Sequence, residues 1–206
     1  MSLDQLEELK NVWKNQGESS IKFTESDIYK MVHKRSSSIV KWILIISILE
    51  FVLPYIFIFF TDFNSTKEVY QTYDLNNMMS IYTVIHIVVI LGFIYFFFKN
   101  YKNIQADSSV KNLLHDILKT RKTVKYYIYY NLTMAAIIGL HVFYIVFNSD
   151  QFVNKLPANT NMLIIWSIAI AIFAFVLFLF WCFYRLIYGF LLKKLKKNYS
   201  ELDRNE

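Results

Sequence analysis

The sequence predicts an all-α protein, a four-helix transmembrane bundle with short amphipathic cytosolic helices, and three observations carry that prediction. Hydrophobic residues make up 55% and aromatic residues 18% of the 206 positions. A soluble domain of this size has too little interior for that load, so the excess needs lipid to face. Four windows, 39–60, 78–98, 126–147 and 163–186, each supply the roughly 18 apolar residues that cross a hydrocarbon core of about 30 Å. Lysines and arginines, finally, gather in alternate segments between these windows. Alternating strand patterns are missing and lipid cannot satisfy an open backbone, so the windows are read as helices.

Residues 1–38 are read as a cytosolic helical segment. "SLDQLEELKNVWKNQ" sets Leu3, Leu6, Leu9, Val12 and Trp13 on one helical stripe, with Ser2 and Gln5 spaced as a capping box. Three acids, Asp4, Glu7 and Glu8, outnumber Lys10 and Lys14. Helices that lie on anionic lipid are normally basic, so this stripe prefers protein. Leu3, Leu6, Leu9 and Trp13 are the expected contacts for a soluble partner, in the manner of an aromatic anchor entering a groove. The alternative is that the stripe docks onto the middle-loop helix of its own chain. "QGESS" then breaks the helix, and Thr24, ahead of Glu25 and Asp27, starts another that leads through Ile28, Met31 and Val32 into the first window.

No apolar run with a small-residue cleavage site precedes position 39, so the first span is expected to drive insertion itself. Pro54 is tolerable there and predicts a kink. Between the second and third windows, "SSVKNLLHDILKT" places Val110, Leu113, Leu114, Ile117 and Leu118 on one face behind the caps Ser108 and Ser109. This amphipathic helix, about 109–120, carries Lys111, Lys119, Arg121 and Lys122 along its edge, which suits the inner leaflet. The tail, 191–206, continues the fourth helix and is expected to fray. The remaining loops, 61–77 and 148–161, are too short for a sensory domain.

Orientation follows from the cations. They crowd the N-terminal segment, the middle loop and the tail, whereas the other two loops hold only Lys67 and Lys155. Both termini are therefore expected in the cytosol, in the manner of a bacterial inner-membrane protein. Topology and anionic headgroups account for the net charge of +6 without a nucleic-acid partner.

Within the spans the polar residues are few. Glu50 lies about 11 residues from the inner end of the first span and His86 about 12 from that of the second, a shared depth. A lone charge at the bilayer centre costs about 2.5–3.5 kcal/mol on insertion scales, so a Glu50–His86 hydrogen bond or ion pair is expected. His141, nearer the outside, and Asn131, nearer the inside, extend this into a polar seam. The seam reads three ways: an interhelical clasp, a proton- or ligand-sensing site, or a transport path.

No metal, cofactor or catalytic centre is expected. His86, His141 and Glu50 lack any local HxxH or HxxxH spacing, and the phosphate-loop, GxSxG and HExxH patterns are missing. Cys182 stands without a second cysteine and reads as a small buried hydrophobe. Arg185 can snorkel, and "YYIYY" at the start of the third span reads as an interfacial aromatic belt. Gly92 and Gly139 permit close helix packing.

"LEELKNVWKNQ" followed by "KRSSSIVKWILIISILEF" resembles a group of uncharacterised four-span membrane proteins of flavobacteria and relatives, and the enrichment in Lys, Asn, Ile, Phe and Tyr suits that source. Such proteins are often encoded beside extracytoplasmic-function sigma factors. The resemblance therefore implies membrane anti-sigma action and a sigma factor as partner, and it implies no catalytic residue. The function expected is that of a regulatory or anchoring membrane protein without enzymatic activity. Two rivals stand beside it: a small proton-coupled transporter or channel subunit working through Glu50, His86 and His141, and a scaffold subunit of a membrane complex.

Overall fold

The computed structural model of the chain describes residues 24–58, 60, 63–106, 109–157 and 160–203. It consists of α1 (Glu25–Ile58), α2 (Phe63–Thr72), α3 (Asn76–Ala106), α4 (Val110–Phe147), α5 (Asp150–Val153) and α6 (Met162–Asp203), with no strand among the described residues. The four long helices α1, α3, α4 and α6 contain the four apolar windows, and each is long and apolar enough to cross a membrane. The expected all-α bundle is thus the observed one.

Caps define where the helices begin. The Thr24 hydroxyl accepts from the Asp27 N–H at 3.2 Å, and the Asp27 carboxylate accepts in return from the Thr24 N–H at 3.2 Å and its hydroxyl at 2.6 Å. That reciprocal box satisfies donors that a helix start leaves open. Ser109 caps α4 by accepting from the Asn112 N–H at 3.3 Å. At the other end Asp74 takes a left-handed conformation, φ 50°, which a short polar side chain tolerates and which turns the chain from α2 into α3.

α1 and α4 each pack between α3 and α6, so sequence neighbours run antiparallel round a four-cornered bundle. We call the end bearing Thr24, Ala106, Val110 and Asp203 basal, and the end bearing Ile58, Asn76, Phe147 and Met162 apical. The long helices have 31 to 42 residues, about 47–63 Å at 1.5 Å per residue. That exceeds a hydrocarbon core, and the polar surplus of all four lies at the basal end.

There the core is filled. Val32 and Val40 of α1, Phe97 and Ile104 of α3, Leu113, Ile117 and Val124 of α4, and Leu195 and Leu202 of α6 are buried in one cluster. Asn198 of α6 donates to the Ser36 hydroxyl of α1 at 3.0 Å, both side chains being buried. The Asn100 amide of α3 donates to Thr123 of α4 at 3.4 Å.

Two expectations change here. The 109–120 stretch is helical but is the opening of α4, with Leu113 and Ile117 fully buried, rather than a separate helix on the inner leaflet. An apolar stripe suits a membrane surface and a bundle interior equally; with no glycine or proline between Ser109 and Gly139, the helix continues the axis of the span and turns its stripe inward. The tail likewise stays helical through Asp203, because Leu195 and Leu202 complete the same core.

The apical half differs. Among its few buried side chains are Leu75, Met134 and Ala169. Rings bridge it: Phe147 lies 5.0 Å from Trp166 and 4.7 Å from Phe152, centroid to centroid. Gly139 supplies the close approach expected of it, since the Phe173 ring of α6 occupies the space a Cβ would need. Gly92 does not, as nothing lies within 4 Å of its missing Cβ.

Candidate functional site

Glu50 sits one helical turn before Pro54 on α1, where the filled basal core gives way to the apical half. Its Oε2 accepts a hydrogen bond from the Tyr127 hydroxyl of α4 at 2.6 Å and a longer one from the Tyr188 hydroxyl of α6 at 3.2 Å. Both tyrosines are almost wholly buried. Glu50 Oε1 is buried as well and has no hydrogen-bond partner. Three helices therefore meet on one carboxylate oxygen.

Aromatic rings hold the donors in place. Tyr127 meets Phe93 and Phe97 edge-on with centroids 5.5 Å away, and Tyr188 at 5.8 Å. Tyr184 stacks on Tyr188 at 6.0 Å. Each hydroxyl has one proton to donate, and both Tyr127 and Tyr188 donate it to Glu50 Oε2. Chemically this is a clasp, a polar lock inside an apolar box.

The hydrogen bond expected between Glu50 and His86 does not form. His86, on α3, stacks on Tyr130 of α4 at 5.8 Å with 13° between the ring planes, and its Nδ1 is buried without a partner. Residue counting fixed the common depth but carried no information on rotation about the helix axis, and α1 turns Glu50 toward α4 and α6. The two phenols that answer it were not singled out in the sequence. Tyr127 sits inside "YYIYY", which resembles an interfacial belt, and its neighbours Tyr126 and Tyr129 are indeed exposed. The usable signal was chemical: in an apolar surround, a phenol is the available donor for a carboxylate.

The other seam residues gather separately. Asn131 donates to the Tyr127 carbonyl of its own helix at 2.9 Å. His141 Nδ1 shares a 3.0 Å hydrogen bond with the Tyr82 hydroxyl of α3. Tyr82, His86 and Asn131, with Pro54 of α1 and Tyr184 of α6, line a cavity of about 430 Å³ in the apical half. Among the described residues, no lysine, arginine, aspartate or glutamate lines it. His86 and Asn131 are thus brought together, His141 joins through Tyr82, and Glu50 stands apart with its tyrosines.

Among the described residues no three His, Cys, Asp or Glu side chains converge to hold a metal ion. Leu3, Leu6, Leu9 and Trp13, expected to bind a partner, lie outside the described residues. The chain matches no curated protein and no solved structure. Residues 26–206 match the model of a domain of unknown function, DUF8845, a span that takes in all four long helices but for the first residue of α1. The chain therefore belongs to the DUF8845 family.

Proposed function

We propose that this protein is a multi-pass anchor of a bacterial cytoplasmic membrane, with both termini in the cytosol, that holds a soluble protein through its N-terminal helix and performs no chemistry of its own. The cations support that orientation: the basal segments carry nearly all of them, whereas Lys67 and Lys155 are the only ones in the apical loops.

One observation favours a partner protein over docking within the chain. The N-terminal stripe was as well suited to the apolar face of residues 109–120 as to a second protein. Most of that face is taken up inside the bundle: Leu113, Leu114 and Ile117 are buried, with Leu195 and Leu202 of the tail in the same cluster, and Leu118 at its edge stays exposed. This supports a separate protein as the partner of Leu3, Leu6, Leu9 and Trp13. The resemblance to four-span proteins of flavobacteria supports a sigma factor as that soluble partner, held at the membrane by sequestration.

The test is co-purification of the full chain from its own membranes in mild detergent. Trp13→Ala should release the soluble partner at least about tenfold, with the amount of inserted protein unchanged. Undiminished capture would overturn the assignment of this stripe.

The transporter reading draws less support. Glu50 takes its donors from Tyr127 and Tyr188, and His86 Nδ1 has no partner, so the two titratable groups share no hydrogen bond along which a proton would pass.

A further inference from the structure

Between the basal ends of α1 and α6 runs a groove of about 580 Å³, lined by Lys34, Arg35 and Ser38 on one side and Lys194, Lys197 and Asn198 on the other. Its charge is lopsided. Glu201 reaches Arg35 at 4.0 Å and Lys197 at 3.7 Å. Lys34 and Lys194 have no carboxylate within ion-pair distance among the described residues. Four cations thus line the groove on two helices, and among the described residues Glu201 is the acid within ion-pair distance of any of them. The buried Asn198–Ser36 hydrogen bond joins the two helices beside it.

The groove also lies at a definite height. The apolar run of α1 begins at Ile39, directly after Ser38, and that of α6 continues through Leu192. One helical turn toward the apical side stand Trp42 on α1, 56% exposed, and Phe190 on α6, 59% exposed. The Lys194 ammonium rests 4.2 Å from the centre of the Phe190 ring. Cations therefore sit directly above exposed apolar surface, the profile of the boundary between headgroups and hydrocarbon.

We propose that this groove is a binding site for the phosphate headgroup of an anionic phospholipid from the adjoining leaflet, its acyl chains descending past Trp42 and Phe190. The phosphate would accept hydrogen bonds from the Lys34, Arg35, Lys194 and Lys197 side chains and from the Ser38 hydroxyl. It would also supply the negative charge that Lys34 and Lys194 do not find among the described carboxylates. Since α1 and α6 form its walls, the occupant ties the first long helix to the last. This inference rests on the membrane reading and is independent of the proposed soluble partner.

Native mass spectrometry of the full chain, released from micelles with dioleoyl phosphatidylglycerol or dioleoyl phosphatidylcholine, tests it. One phosphatidylglycerol per chain should be retained in preference to phosphatidylcholine. The double variant Lys34→Gln/Lys194→Gln should lower that occupancy by roughly tenfold, and Lys34→Arg/Lys194→Arg should restore it. Lys99→Gln/Lys122→Gln, elsewhere on the basal surface, should leave it unchanged.

Equal retention of phosphatidylcholine would overturn the proposal, as would equal loss in the Lys99/Lys122 control, which would mean diffuse attraction. Thermal unfolding followed by circular dichroism separates the two sources of phosphate. Stabilisation by phosphatidylglycerol but not by millimolar inorganic phosphate supports the lipid. Equal stabilisation by free phosphate overturns it in favour of a soluble anion.

Discussion

The basal and apical halves of this bundle are made from the same four helices and are held together by different forces. In the basal half, facing aliphatic side chains interdigitate around Ile104, Leu113, Ile117 and Leu195, all fully buried. In the apical half most large side chains point outward and a cavity of about 430 Å³ lies between all four helices. Water explains the first arrangement. Apolar surface on the basal extension must be hidden from solvent, and burying it drives the helices together. Lipid removes that drive, because a leucine is as well placed against an acyl chain as against another helix. The apical half therefore relies on rings, one glycine and a few hydrogen bonds, and it tolerates empty space.

The largest effects should come from truncation in the basal core. Ile117→Ala should cost about 2–5 kcal/mol, since it removes buried volume that the close-packed neighbours cannot refill. Ile172→Ala, at an apical position 59% exposed, should stay within about 0.5 kcal/mol of the parent. Denaturant titration in micelles, followed by circular dichroism, compares the two. Similar losses at both positions would mean that the apical face is buried against something other than lipid.

Next comes the junction of the halves. Glu50→Ala leaves the Tyr127 and Tyr188 hydroxyls without an acceptor inside an aromatic box, and because the partly buried carboxylate goes with it the net penalty should be about 1–3 kcal/mol. Tyr188→Phe should cost less than Tyr127→Phe, because the Tyr188 hydrogen bond is longer, 3.2 Å against 2.6 Å. If the two phenylalanine variants lose equal stability in the same titration, the clasp is shared evenly and the distance is no guide.

How much of this was readable beforehand depends on whether a feature is set by length or by rotation. The spans follow from composition along a line, and so do the starts at Thr24 and Ser109, where side-chain chemistry and position coincide. The depth of Glu50 also follows from counting. Its direction does not, because rotation about the helix axis decides whether His86 or Tyr127 is the partner, and counting residues does not give that rotation. The stripe at Leu113 and Ile117 was legible as a stripe, yet nothing local distinguishes a face covered by lipid from one covered by α3 and α6. The groove at Lys34 and Lys194 joins residues 160 positions apart, and only the closure of the four-cornered ring, last helix against first, brings them together.

The contact at Gly139 tests the apical half on its own terms. An added methyl would enter the space of the Phe173 ring, and overpacking of this kind costs about 1–3 kcal/mol in a tight core. Because Phe173 is half-buried in a loosely packed region, Gly139→Ala should fall at the low end of that range. The accompanying change should be a weaker Phe143–Phe173 contact, now 5.4 Å between centroids, visible as altered side-chain resonances at those rings. A loss as large as that of Ile117→Ala would show that the apical packing is as exacting as the basal.

The smallest effect is the most discriminating. Ala135 of α4 lines the apical cavity, whereas Val40 of α1 is fully enclosed in the basal core. Ala135→Leu adds three carbons and Val40→Leu only one, so a larger addition that is better tolerated would mark the space at Ala135. Ala135→Leu should be neutral or stabilise by up to about 1 kcal/mol, by filling a void, while Val40→Leu should destabilise by about 1–3 kcal/mol through forced rotamers. Thermal unfolding of the two variants side by side reads the sign directly. Were Ala135→Leu to destabilise as Val40→Leu does, the cavity would be holding something the protein needs, because an empty space has nothing to lose when a leucine enters it.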